Sequence, residues 1–357
     1  MYVVSLVGRI RVAALLTTLL LAPPVSEARP KFPHLGGYPL CEASAAVWTP
    51  CLHDAAVTCL LVGDNEQRQT LFSIPFDGHR LEVDKRQPVD MTPVLSPDDE
   101  PELSDIEALT ILGSGDVLIY GSHSRNKACE RRASRRRYVS LKFEQTTVVA
   151  GAIELVRTKK TFDLANAFPD GAAGDLQQVR EAVKATEANA DANAPCEGAF
   201  NIEGAVAFPG PSGDEVWVGL RAPLVDGNAV LARHKSGLKA LEFDAVRFVD
   251  LGGWGIRDLT YARGWVWGLS GPVADDEETT FRLWRFRVNA FARQEVIAVE
   301  PLGDAPNGAE GLAIWGNVAV MVMDGSELSS PPAIMDGVES RDICKRDASY
   351  AIVSVPW

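Results

Sequence analysis

One arrangement of residues recurs five times along this chain. A small or polar lead-in, one key side chain and a short apolar run appear in CEASAAVW from Cys41, DIEALTIL from Asp105, NIEGAVAF from Asn201, GIRDLTYA from Gly255 and GAEGLAIW from Gly308. Each is followed by a second apolar run: CLLVGDNE, DVLIYGSHS, DEVWVGLRAP, GWVWGLSGP and NVAVMVMDG. Turn residues separate most pairs, namely Gly113-Ser114-Gly115, Pro211-Ser212-Gly213, Arg263-Gly264 and Gly316-Asn317, and these are hairpin signals. A hairpin unit cannot bury its apolar faces alone, whereas units arranged about an axis bury one another. The predicted fold is therefore all-β, a β-propeller of five or six blades. A β-sandwich would use similar strands but leaves the recurring lead-in unexplained.

The key positions, 42, 107, 203, 257 and 310, are separated by 65, 96, 54 and 53 residues. The long step holds a sixth blade or an insertion, and an insertion at about 155–196 is the favoured reading. Within it Asp175 can cap a short helix with Leu176, Val179 and Val183 on one face, while Ala188 to Ala194 reads as loop. The last unit shows three strands, so an N-terminal segment is expected to supply its fourth and close the ring.

Residues 1–28 read as a signal peptide: Arg9 and Arg11, the apolar stretch Val12 to Ala22, then Ser26-Glu27-Ala28. The stretch is too short to span a bilayer. The expected mature chain is one propeller domain over 29–357, secreted or periplasmic, without a membrane span and monomeric. A formal charge of −13 disfavours nucleic acid as a partner. In an oxidising compartment the six cysteines are expected to pair,. Strand topology suggests Cys51–Cys59 across the first hairpin, Cys129–Cys196 on one face, and Cys41–Cys344 across the closing seam.

The stretches IEGAVAFP, GLRAPL, GSHSRN, GWGIRDL and AEGLA resemble a bacterial exported family catalogued as a domain of unknown function (family 3616). The resemblance runs from about Cys41 onward and implies a propeller-like fold with no established activity. More distantly, the acidic lead-ins look like those of calcium-dependent propeller hydrolases of the gluconolactonase, paraoxonase and esterase-like phytase groups.

In a propeller the first strand of each blade lines the axis, so the key residues Glu42, Glu107, Glu203, Arg257 and Glu310 should converge. Two positions earlier stand Leu40, Asp105, Asn201, Gly255 and Gly308, and Asp258 follows Arg257. Two like charges about 8 Å apart at an effective dielectric near 20 repel by roughly 2 kcal/mol, and several such pairs consume much of a typical stability of about 5–15 kcal/mol. Arg257, a calcium ion held by Glu42, Glu107, Glu203, Glu310, Asn201 and Asp105, or proton uptake can compensate. A carboxylate there can instead accept backbone N–H groups of the adjoining blade and clasp the two together.

Second strands return to the same face, bringing Asp64, Glu66, His123, Arg125, Arg221 and Asp324 beside the ring. The expected pocket binds a small polar or anionic molecule or an envelope component through Arg257, Asp258, Arg221, Arg125, Asp64 and Asp324. The alternative is a calcium-dependent hydrolase of a small ester, lactone or phosphoester, with His123 as candidate general base; a purely structural ring is a third reading. Residues 131–137, RRASRRR, read as a solvated loop balanced by acidic neighbours, with an acidic partner as the alternative. Trp217, Trp265, Trp267 and Trp315 are expected to pack between blades.

Overall fold

Turn chemistry sets the hairpins. Arg263 and Gly264 both take positive φ, 51° and 81°, the type I′ geometry whose twist matches that of paired strands. Gly115, Gly213 and Gly316 also take positive φ, at 88°, 125° and 54°. In this computed structural model the described residues are 32–356, apart from 37–39, 53, 66, 93–102, 127, 145–146, 156–166, 170, 172, 193–198, 236–240, 275–279 and 326–347. The proposed signal peptide lies outside them, as do Glu66, Cys196 and Cys344.

The hairpins build five antiparallel blades. Blade 1 is β1 (Ala43–Cys51), β2 (Asp54–Asp64), β3 (Thr70–Pro75) and β4 (Gln87–Asp90). Blade 2 is β5 (Ile106–Ile111), β6 (Val117–Gly121), β7 (Arg137–Glu144) and β8 (Thr147–Leu155). The insertion helix α1 (Asp175–Ala192) follows, then blade 3 with β9 (Asn201–Gly210), β10 (Gly213–Val225), β11 (Asn228–His234) and β12 (Phe243–Asp250). Blade 4 starts with β13 (Gly255–Ala262), β14 (Trp265–Gly271) and β15 (Phe281–Arg287). Its chain then detours through β16 (Val296–Ala298), which pairs in parallel with β12, before completing blade 4 as β17 (Glu300–Ala305). Blade 5 is β18 (Ala309–Trp315), β19 (Val318–Met323) and β20 (Ser349–Ser354). The N-terminal segment closes it: Leu35 N–H donates to Ala348 and Tyr350 N–H to Pro33, at 2.8 and 2.9 Å.

The inner strands β1, β5, β9, β13 and β18 each touch the next, and β18 touches β1. Five buried apolar clusters form the core. Each lies mainly between two neighbouring blades, so the propeller is stabilised by sheet-on-sheet burial at every seam. Trp217, Trp267 and Trp284 are buried in these seams. A Cβ at Gly268 would collide with the Trp284 ring, so glycine there lets that indole lie flat on β14. Trp315 departs from the packing expectation: 44% exposed, it leans edge-on against Trp48. Trp265 is half-buried and covered by Arg285 and Arg287.

Two local expectations need correction. The helix does not stop near Ala188; it continues to Ala192. Alanine favours helix, and the extra turn carries Asp191, which with Glu187 binds Arg125 and Arg131 at 2.8–3.2 Å. Nor is the arginine run a solvated loop. Arg136 and Arg137 are buried, Arg131 is bound to α1, and Arg135 reaches Asp105 at 3.0 Å. The run passes from loop through a 3-10 turn at Ala133–Arg135 into the first residue of β7, so its side chains face several directions and are not confined to one solvated face.

The Cys51–Cys59 disulfide bridges the first hairpin as expected. Cys41 and Cys129 are also disulfide-bonded; their expected partners lie outside the described residues. Among the described residues no helix is long and apolar enough to cross a membrane.

Candidate functional site

Each inner strand begins with a β-bulge at the same place. Pairing skips Glu107 between Ile106 and Ala108, Glu203 between Ile202 and Gly204, Arg257 between Ile256 and Asp258, and Glu310 between Ala309 and Gly311. A bulge re-aims the extra side chain, and here it aims four charged groups toward the axis. In blade 1 the skipped residue is Ser44. Glu42 therefore corresponds not to Glu107 but to Asp105, Asn201, Gly255 and Gly308, two residues earlier. Ser44 donates its hydroxyl to the Ile106 carbonyl. Glu42 is half-buried at the mouth, and its backbone bridges to Asp324, the exit of blade 5.

Arg257 is the hub. Its Nη1 lies 3.0 Å from Glu310 Oε1 and 3.1 Å from Glu203 Oε2, and its Nη2 donates to the Pro272 carbonyl at 2.9 Å. The guanidinium sits over Phe281, 5.2 Å from the ring centre. Gly271 makes room, since a Cβ there would press on Phe281 and Arg257 Nε. Arg221 Nη1 reaches Glu203 Oε1 at 3.0 Å and its Nε donates to Pro272 at 3.2 Å. Asn201 donates to the same Glu203 oxygen at 2.6 Å. Glu203 Oε2 accepts no hydrogen bond among the described residues, although Arg257 Nη1 lies within ion-pair distance of it.

Glu107 is held differently. It is 8% exposed, and its one hydrogen bond among the described residues is a long one, 3.4 Å, from Asn65 Nδ2. Burial pushes its acidity down and its pKa well up, reinforced by the charges of Asp105, Glu203 and Glu310. Glu310, with 18% of its side chain exposed, is also pushed well up by burial and by Asp324, against the pull of Arg257 and Arg221. Asp105 is raised by burial, partly offset by Arg135, Ser122 and Ser124. Its backbone is left-handed, with φ 58°.

The other candidate residues serve the frame. Asp258 is fully buried and accepts backbone N–H groups from Leu259 and from Leu312 of the next blade. Asp64 accepts those of Cys41, Glu42 and Gln67. Arg125 turns away toward α1. His123 is buried against Phe200 with Nδ1 2.9 Å from the Gly121 carbonyl, and burial lowers its pKa to about 4. The charges that act on it are those of Arg136 and His234, not those of the ring.

Asn65, Ser44, Arg135 and the Pro272 carbonyl were not foreseen. Asn65 follows directly on a strand exit, between two acidic residues, and that placement was its one signal. Among the described residues, no three His, Cys, Asp or Glu side chains are grouped as metal ligands. An apolar cavity of about 250 Å³ lies elsewhere, at the far end of blade 1, lined by Cys51, Leu52, Val57 and Pro75.

The family described as Protein of unknown function (DUF3616) matches residues 55–324. No curated protein matches the chain. Similar solved structures include a GH43 endo-arabinanase from Bacillus licheniformis, 10% identical with a TM-score of 0.43, covering 91% of this chain and 94% of that one. Another is an alpha-L-arabinanase from Cellvibrio cellulosa complexed with arabinohexaose, 9% identical, TM-score 0.46, covering 89% and 93%. A third is an unknown-function protein from Dyadobacter fermentans, 9% identical, TM-score 0.43, covering 91% and 97%. None of the three bears the name of a gluconolactonase, paraoxonase or phytase. No residue role is carried over from them.

Proposed function

Because this chain belongs to the family described as Protein of unknown function (DUF3616), a membership that brings no activity with it, we propose a function from the site itself. The protein is an exported propeller that binds a small polar molecule at the channel mouth. One observation carries this reading: the mouth holds buried acceptors with nothing to accept. Asn65 Oδ1 and Asn201 Oδ1 are enclosed and lack partners among the described residues. A buried acceptor without a donor costs about 1–3 kcal/mol, and a ligand rich in N–H or O–H groups recovers that cost. Half-buried Glu42, Asn65, Asn201, Arg221 and Asp324 form the accessible rim. The leader pattern of residues 1–28 and the Cys51–Cys59 disulfide support a secreted or periplasmic location,.

An anionic ligand fits poorly. Arg221 and Arg257 are already committed to Glu203, Glu310 and Pro272. The all-oxygen donor set is of the kind calcium accepts, but calcium wants six to eight oxygens, and Arg257 already occupies two of the carboxylates. The residues present do not form a calcium cage, so no step is assigned to a metal. Ester, lactone or phosphoester hydrolysis loses the base expected for it, because His123 lies buried among groups outside the ring.

Thermal unfolding tests the reading. The protein is heated with small polyols, organic ammonium ions, carboxylates, calcium, magnesium or a chelator. At least one polar compound is expected to raise the melting temperature of the wild type and not that of Asn201→Ala. No shift with any compound would remove the reading.

A further inference from the structure

We propose that the ligand of this mouth is a small organic cation, an ammonium or guanidinium compound, seated among Glu107, Glu310, Asn65 and Asn201. This rests on the reading that the mouth binds a ligand at all.

The argument is one of donors and charge. Asn65 and Asn201 direct their amide N–H groups at Glu107 and Glu203, which leaves both amide oxygens as unfilled acceptors. The second carboxyl oxygen of Glu107 has no partner among the described residues, though the side chain is more than nine-tenths buried. The nearby arginines are engaged. Both amide oxygens therefore ask for a donor, and Glu107 asks for one once it gives up its proton. Carboxyl groups also outnumber guanidinium groups there: Glu42, Glu107, Glu203, Glu310 and Asp324 stand against Arg221 and Arg257.

A neutral polyol would supply donors but leave the excess of carboxylates. An anion would add to it. A divalent metal would need carboxylates free of arginine, and Arg257 holds both Glu203 and Glu310. An ammonium or guanidinium group brings donors and positive charge together, and the guanidinium adds the fork geometry that matches carboxylates.

The binding step has a proton balance. Glu107 faces Asp105, Glu203 and Glu310 and accepts from Asn65. Burial first, and then those carboxylates, favour the protonated form of Glu107 in the free protein. A cation beside it stabilises the carboxylate, so the O–H proton leaves to the buffer as the cation enters.

Calorimetric titration tests this. The protein, with its disulfides intact, is titrated with methylguanidinium, propylammonium, myo-inositol and calcium chloride, each in two buffers of different ionisation enthalpy. A cation is expected to bind with an enthalpy that differs between buffers by the release of about one proton. Its affinity is expected to rise with pH as the Glu107 proton is lost more readily. Glu107→Gln keeps the shape of the protonated acid and is expected to bind about tenfold more weakly without buffer dependence. Binding of myo-inositol alone, or of calcium alone, overturns the cation assignment and leaves the mouth a binding site. Equal cation affinity in Glu107→Gln overturns the placement on Glu107. No binding by any probe, together with no thermal shift by any compound, overturns both this proposal and the reading beneath it.

Discussion

Asp258 of blade 4 accepts the backbone N–H of Leu312 in blade 5 at 2.6 Å, while its other oxygen accepts the N–H of Leu259 at 2.7 Å. One buried carboxyl thus joins two inner strands at the start of β18. Asp258→Ala leaves both donors buried without a partner. At about 1–3 kcal/mol for each, the expected loss is about 2–6 kcal/mol in chemical denaturation. Asp258→Asn keeps one acceptor and is expected to lose less. A loss below about 1 kcal/mol for the alanine variant would show that the seam does not depend on this clasp.

Arg257 compensates two carboxylates at once. Replacing it with leucine leaves Glu203 and Glu310 buried beside Glu107 with one ion-pair partner fewer. Breaking a buried pair from one side costs about 3–5 kcal/mol, and that is the expected loss at neutral pH. Adding Glu310→Gln to Arg257→Leu is expected to recover part of it, because a neutral amide needs no counter-charge. A double-mutant cycle measures the coupling; strictly additive losses would mean that the 3.0 Å contact carries no energy.

Much of this arrangement was legible. Short apolar runs separated by turn residues gave the hairpins, and the recurrence of the lead-in gave the ring. Arg263-Gly264 marked a hairpin turn, and its type followed only from the positive φ of both residues,. The register of unit 1 was not legible. A slip of two residues returns a strand to the same face, so Glu42 and Ser44 are equally good matches to the pattern in CEASAAVW, and only the bulge tells them apart. Partner choice was equally hidden. Asp258 and Glu310 belong to the same sequence pattern, yet one meets backbone N–H groups and the other an arginine. That difference depends on which blade lies alongside, not on local sequence.

Glu107 sets a pH dependence that runs opposite to the usual carboxylate. Its folded pKa is raised well above the unfolded value by burial and by Asp105, Glu203 and Glu310. Between the two values the folded chain holds a proton that the unfolded chain has lost, so this group lowers stability as pH rises above about 4.3. Glu107→Gln removes the titration. Between about pH 4 and about pH 8 the variant is expected to gain on the wild type as pH rises above the unfolded value of about 4.3, and the gain should vanish below it. Urea denaturation across that range measures it, and a difference independent of pH would place the raised acid elsewhere.

His123 acts in the other direction. Burial lowers its pKa from 6.5 to about 4, with Arg136 and His234 adding to the shift and the Gly121 carbonyl opposing it. The contribution of the neutral ring is fully present above about pH 6.5 and is lost as pH falls toward about 4. A shift of this size corresponds to about 3 kcal/mol over that interval. Glu107, Glu310, Asp105 and Asp258 move the wild-type curve the opposite way, so the test is the difference between two proteins. His123→Asn suits the site because asparagine tolerates the φ of 60° found there,, and its amide can still donate to the Gly121 carbonyl. The variant is expected to lose stability more slowly than the wild type between about pH 6.5 and about pH 4, by up to one bound proton in slope. Parallel curves would mean that His123 titrates as an ordinary histidine in the folded protein.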